Sequence, residues 1–188
     1  MFGLARTDHI QEVVEQWAAE TPALDRSAFA VIGRISRLAQ LLEPELDLVF
    51  AEYGLTGGEF DVLAALRRSG APYRLTPTSL RKALLLSSGG MTKRLAGLEN
   101  RGLVRREAAE TRDRRLRAVT LTPEGRRLVD AVLPEHIDNE ERLLRDLNAS
   151  ERSDLARLLE KLAVTLQDTA TRRRVRAPEA SKQRPGRA

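Results

Sequence analysis

The chain contains no cysteine. Disulfides, thiolate metal centres, cysteine nucleophiles and thiol-based redox sensing are thereby excluded. Histidine is nearly as scarce: His9 and His136 are the only two in 188 residues, and neither belongs to a metal-spaced set. No nucleophile elbow and no phosphate-binding glycine loop occurs. Neither an enzyme nor a bound cofactor is expected. His136 lies near Asp138 and Glu140, which could hold an adventitious cation, although a solvated helix face accounts for the same residues. There is no internal repeat and no run of about 18 apolar residues, and the first residues lack a basic-then-apolar signal pattern. A soluble, cytoplasmic protein with no membrane association is expected.

What is present is charge. Lys plus Arg number 32 against 27 Asp plus Glu, a formal net charge of +5 that favours a polyanionic partner. Part of that excess sits in a terminal segment, where Arg172, Arg173, Arg174, Arg176, Lys182, Arg184 and Arg187 face only Glu179 among Pro, Ser, Gly and Gln. Residues 171–188 therefore read as a basic disordered tail. Without the tail the two signs nearly balance, so any argument for nucleic-acid binding must come from where the charges stand.

Placement is most telling between Leu75 and Gly125, which reads as helix, tight turn, helix and two-stranded hairpin. Thr76-Pro77 opens the first helix with a side-chain cap and a pre-set φ, and Leu80, Ala83 and Leu84 form its apolar stripe. Ser87-Ser88 caps a second helix reaching about Asn100, with Gly102 supplying the left-handed residue after it. Leu103 to Arg106 and Leu116 to Leu121 have strand composition and enclose a polar loop, the wing. This is a winged helix-turn-helix. On a helical wheel Met91, Leu95 and Leu98 share one side, leaving Gly89, Lys93, Ala96 and Asn100 opposite, toward a duplex. Gly89 and Gly90 let backbone amides and the positive dipole end approach phosphate closely. Thr76, Ser87, Ser88, Thr92 and Lys93 are candidate donors to phosphates or bases. In the wing, Arg112 and Arg115 flank Asp113; one guanidinium could be held in a fork while the other enters a narrow minor groove. An exposed turn with a weak surface ion pair accounts for the same three residues.

Helical arms flank this head, so the expected class is mainly α, or α+β. Residues 1–24 form an N-terminal helical extension, capped by Thr7 and bearing Ile10, Val13, Val14 and Trp17 on one face. Residues 25–55 form a helix with a heptad-like seam of Ile32, Ile35, Ala39, Leu42, Leu46, Val49 and Tyr53, which Pro44 should kink or split. Residues 56–125 are the DNA-binding domain, entered through a Thr56/Glu59 capping box. In residues 126–170, one helix carries Leu128, Val132 and Leu133 with Pro134 a second kink candidate. A last helix, capped by Asn148 and Glu151, carries Leu155, Leu158, Leu159, Leu162 and Leu166. Amphipathic arms at both ends are most simply buried across a two-fold axis, which predicts a homodimer.

Gly54-Leu55-Thr56, Phe60-Asp61-Val62-Leu63, Leu75-Thr76-Pro77, Met91-Thr92, Arg101-Gly102-Leu103-Val104, Asp113-Arg114-Arg115 and Leu121-Thr122-Pro123-Glu124-Gly125 together resemble the MarR family of bacterial transcriptional regulators, over about Asp25 to Asp168. The resemblance implies a dimer joined by its terminal helices, with recognition helices in the major groove and wings in the minor groove, Arg115 facing the groove. It also implies a cytoplasmic, nucleoid-associated repressor released from a pseudo-palindromic operator by a small ligand. Trp17, Asp61, Arg94 and Arg106 resemble the residues that shape an anionic-ligand pocket in the urate-responsive branch. The chain departs from the family pattern in a wing one residue longer, in Pro44, and in Ala96-Gly97 where charged residues are common.

Arg94 falls beside the apolar side of its helix, and Asp61 is wedged between Phe60 and Val62. A buried or half-buried Asp61–Arg94 pair follows, either as a static salt bridge or as a sensor. In the second case a planar weak acid such as urate or another purine would pair with Arg94 or Arg106, repel Asp61 and stack on Trp17. The alternative function is an architectural DNA-coating protein with no operator of its own.

Overall fold

The computed structural model describes residues 8–84, 88–106 and 118–176, excepting the side chains of 88–89 and 168–176. Its elements are α1 (His9–Glu20), α2 (Ser27–Glu52), α3 (Gly57–Arg68), β1 (Arg74–Leu75), α4 (Pro77–Ala83), α5 (Ser88–Asn100), β2 (Val104–Arg106), β3 (Val119–Leu121), α6 (Pro123–Leu143) and α7 (Ala149–Arg176). This is the winged helix-turn-helix, mainly helical with a small sheet, that the sequence predicts. The chain divides into two compact units, Met1–Glu140 and Glu141–Ala188.

In the first unit the core is built where α3, α4, α5, α6 and the sheet meet. Leu63, Leu66, Leu80, Leu98, Val104, Val119 and Val132 are fully buried there. Met91, Leu95 and Leu98 are the inward stripe of α5, as the wheel predicts. On α6 the inward residues are Val129 and Val132, whereas Leu133 is exposed. The sheet is antiparallel in the order β1-β3-β2, with Val104 opposite Leu121 and Arg74 opposite Thr120. β1 has two residues, too few to show an alternating pattern in a sequence.

Local chemistry sets the boundaries. The capping box of α3 forms with both bonds in place: Glu59 N–H donates to Thr56 Oγ1, and Thr56 N–H donates to the Glu59 carboxylate. Thr76 caps α4 by accepting from Ser79 N–H at 3.1 Å. The cap of α1 is Asp8, not Thr7: its carboxylate accepts from Ile10 N–H and receives the Arg34 guanidinium. Ser88 is the first residue of α5 rather than its cap. α2 and α5 end alike. Gly54 (φ 63) and Gly102 (φ 68) take the left-handed conformation, and the amides of Gly54, Leu55, Gly102 and Leu103 close onto the carbonyls of Ala51, Phe50, Glu99 and Leu98.

Neither internal proline splits its helix. α2 and α6 each run as one helix through Pro44 and Pro134, since a proline removes one backbone donor and the neighbouring turns keep theirs. The start of α6 is docked tightly on the turn after α5: a Cβ on Gly125 would sit 2.1 Å from the Leu103 carbonyl oxygen. Further along, Asn139, 6% exposed, donates to the Glu45 carbonyl at 3.0 Å and ties α6 to the middle of α2.

The second unit is α7 with the end of α6 and the turn between them. Asn148 and Glu151 cap α7 reciprocally, as their spacing predicts. α7 continues to Arg176, beyond the expected start of a disordered tail at residue 171. Arginine is a good helix former, so a basic composition that rules out burial does not end a helix.

Candidate DNA-reading head and effector cleft

Two features share α5. Its outer side is the candidate reading face. Gly90, Thr92, Lys93, Ala96 and Asn100 are all exposed, so Lys93 stands free to meet a polyanion. The Thr76 hydroxyl is engaged at the start of α4, bonded to the Ser79 amide and 2.9 Å from the Ser79 hydroxyl; that side chain is partly buried. Ser88 and Gly89 lie in the first turn of α5. Ser87, Arg112 and Arg115 lie outside the described residues.

The inner side of α5 borders a cleft of about 720 Å³ between α2, the start of α3, α5 and α6. Leu42, Leu46 and Phe50 supply an apolar wall; Glu43, Asp47, Asp61, Glu140, Arg94 and His136 supply charge or polarity. The sequence prediction that Arg94 points inward and shares its surroundings with Asp61 holds. The two do not form the expected buried or half-buried ion pair: Asp61 is exposed and Arg94 partly buried, and what parts them is the seat of Arg94. Its guanidinium lies against Gly58, where a Cβ would come within 2.3 Å of Cζ. That position keeps it apart from the carboxylate yet close enough to act through space. Desolvation raises the Asp61 pKa above its ordinary value, with the charges of Arg94, Arg68 and His136 opposing the rise. Asp61 is therefore a carboxylate held at some cost, facing a cation it does not touch.

The other two residues predicted for the pocket do not line this cleft. Arg106 places Nε 3.0 Å from a Glu99 carboxylate oxygen, clipping β2 to the last turn of α5. A strand residue's partner depends on how the hairpin folds back, which sequence spacing does not reveal. Trp17 stands half exposed on α1.

His136 is the residue that sequence reasoning left on a solvated face. Its side chain is 15% exposed, with Nε2 3.3 Å from Glu140, and its ring packs against Phe50 at 5.0 Å and Phe60 at 5.1 Å between centroids. A usable signal was the spacing of Val129, Val132, His136 and Asn139, which puts the histidine on the inward stripe of α6. Gly57 and Gly58 were likewise missed; they remove side chains exactly where the cleft brings Asp47 and Arg94 against α3. Among the described residues no group of His, Asp and Glu could hold a metal ion, and no helix is long and apolar enough to cross a membrane.

A helix-turn-helix made by α4 and α5 beside a three-stranded antiparallel sheet defines the class of winged helix-turn-helix proteins. The MarR family model matches residues 53–116. The chain is 40% identical over 156 residues to the HTH-type transcriptional regulator PecS of Dickeya dadantii, covering 83% of this chain and 93% of that one. Among solved structures, AbsC, a MarR family transcriptional regulator from Streptomyces coelicolor, superposes with a TM-score of 0.68 at 25% identity over 77% of this chain and 97% of its own. Bordetella bronchiseptica BpsR, whose DNA binding is regulated by 6-hydroxynicotinic acid, superposes with a TM-score of 0.63 at 28% identity over 70% of this chain and 98% of its own. The chain belongs to the MarR family, and its members are transcription regulators rather than enzymes.

Proposed function

We propose that the protein is a homodimeric repressor that binds a pseudo-palindromic operator and is released when a planar, weakly acidic heterocycle enters the cleft. The observation that carries this reading is Arg94, which belongs to the reading helix and also lines the cleft beside Asp61. An ionised ring placed between them would accept from the Arg94 guanidinium and present N–H groups to Asp61, with Leu42, Leu46 and Phe50 against its faces. Drawing Arg94 off Gly58 would move α5. The energy needed is modest: a hundredfold change in DNA affinity requires a difference of about 2.7 kcal/mol between the two conformers.

The regulation of BpsR by 6-hydroxynicotinic acid supports a small aromatic acid as the ligand class, and the match of Trp17, Asp61, Arg94 and Arg106 to the urate-responsive pattern favours urate or a related purine. In this reading Trp17 and Arg106, which do not line the cleft, reach the ligand only by leaving the places they hold on α1 and beside Glu99. On the DNA side Gly90, Thr92 and Lys93 meet the major groove together with Ser87, Ser88 and Gly89, Thr76 donates from the start of α4, and Arg112 and Arg115 belong to the wing.

The test is binding to the intergenic DNA upstream of the coding gene, with and without urate, xanthine and aromatic carboxylates. Expected is a preference of about 10³-fold or more over random DNA, abolished by one of these ligands. Arg94→Ala should keep operator binding and lose the ligand response. Equal binding to all DNA would instead establish an architectural coating protein, and unchanged release of Arg94→Ala would remove the cleft from the mechanism.

A further inference from the structure

Arg94 and Gly97 on α5 and Arg101, the residue just past its end, follow one another at spacings of three and four, and all three meet the junction between α2 and α3. Arg94 lies on Gly58. Gly97 faces Glu59, whose Oε1 would be 3.0 Å from a Cβ placed there. Arg101 donates from Nη1 to the Gly54 carbonyl at 2.8 Å and from Nη2 to the Tyr53 carbonyl at 3.4 Å. This polar stripe is distinct from the apolar stripe of Met91, Leu95 and Leu98. Gly97, which departs from the family pattern, allows the close approach.

The two carbonyls that Arg101 takes are those the ending of α2 leaves over. The amides of Gly54 and Leu55 turn back onto Ala51 and Phe50, so Tyr53 and Gly54 present their oxygens outward at the negative end of the helix dipole. A planar guanidinium can meet both at once.

The geometry points to Arg101 as a positioning residue: it is the fixed end of a lever whose moving end, Arg94, lies in the cleft about 10 Å away along the α5 axis. The inference rests on the dimeric, ligand-released reading above. α2 carries the exposed apolar residues proposed to pair the subunits, so its end is held by the dimer, and Arg101 transmits that position to the reading helix. Ligand in the cleft then displaces one end of α5 while the other stays, which tilts the helix and changes the separation of the two reading faces.

Because the chain has no cysteine, spin labels can be placed at Arg37→Cys on α2 and Lys93→Cys on α5 without removing a native thiol. With labelled protomers diluted in unlabelled protein, the distance read is within one chain and needs neither a dimer nor DNA. Expected is a narrow distribution that broadens in Arg101→Gln, partly recovers in Arg101→Lys, and shifts on addition of urate only while Arg101 is present. Circular dichroism must show the variants folded. In a second arm, unlabelled wild-type and Arg101→Gln proteins, free of the cysteine substitutions, are titrated with operators whose half-site spacing is changed by one or two base pairs. Arg101→Gln should bind the best spacing nearly as well as wild type but discriminate among spacings about tenfold less. Unchanged label distances and an unchanged spacing profile would overturn the assignment, as would a uniform loss at every spacing, which would make Arg101 a phosphate contact. Failure of the wild-type chain to prefer any palindrome would sink the repressor reading, while the label distances would still decide the role of Arg101.

Discussion

Asp61 is an exposed carboxylate lining the cleft, yet the protein around it displaces enough water to raise its pKa, and the charges of Arg94, Arg68 and His136 only partly oppose that rise. A raised carboxyl pKa means that the folded state binds a proton more readily than the unfolded chain does, so ionised Asp61 detracts from stability above the ordinary value of 3.8. Asp61→Asn should therefore raise the melting temperature at pH 7, and the advantage should vanish as the pH falls below 3.8, where both side chains are neutral; thermal melts across pH read this directly. Gly125→Ala should do the opposite. Its Cβ would strike a backbone carbonyl rather than a flexible side chain, so a loss of about 2–4 kcal/mol in a denaturant titration is expected. The inward placement of Arg94 was legible because a helical wheel needs only local spacing. Arg106 and His136 were not, since one depends on a hairpin's return path and the other was judged by its acidic neighbours instead of by the stripe it shares with Val129 and Val132.

At the level of elements, caps and turns were the most readable features. The Thr56/Glu59 and Asn148/Glu151 pairs and Gly102 each encode a short-range geometry that a few residues suffice to specify. β1 was unreadable because its pairing is with β3 and its own two residues carry no period. Pro44 does not split α2, because the cost of a helix-interior proline says nothing about the tertiary contacts that offset it. One such contact is Asn139, buried against the Glu45 carbonyl one residue beyond the proline. Asn139→Leu removes that donor and should destabilise the protein by about 1–3 kcal/mol, measured as a lowered denaturant midpoint. Asn139→Gln, with the amide one methylene further out, should recover only part of it. The heptad-like seam divides along its length: Leu46, Val49 and Tyr53 pack on the core, whereas Ile32 and Leu42 remain exposed and open to the helix pairing that the seam predicts.

For the whole molecule, apolar residues left open on both arms point to a second copy. Phe29, Ile32, Leu38 and Leu41 on α2 and Leu155, Leu158 and Leu159 on α7 are exposed in the single chain, and apolar side chains grouped on a helix in this way suit a partner surface. Leu158→Glu should yield a monomer in analytical ultracentrifugation, together with loss of tight operator binding, because a charge would be buried without a partner at a two-fold contact; a dimer unaffected by it would place the interface elsewhere. Trp17 is the chain's single tryptophan and is 51% exposed on α1. Intrinsic emission of this protein is consequently a one-point reporter. An effector that stacks on the indole must quench or blue-shift the spectrum, whereas one that engages Arg94 and leaves α1 alone will be optically silent, and a simple fluorimeter separates the two modes of entry.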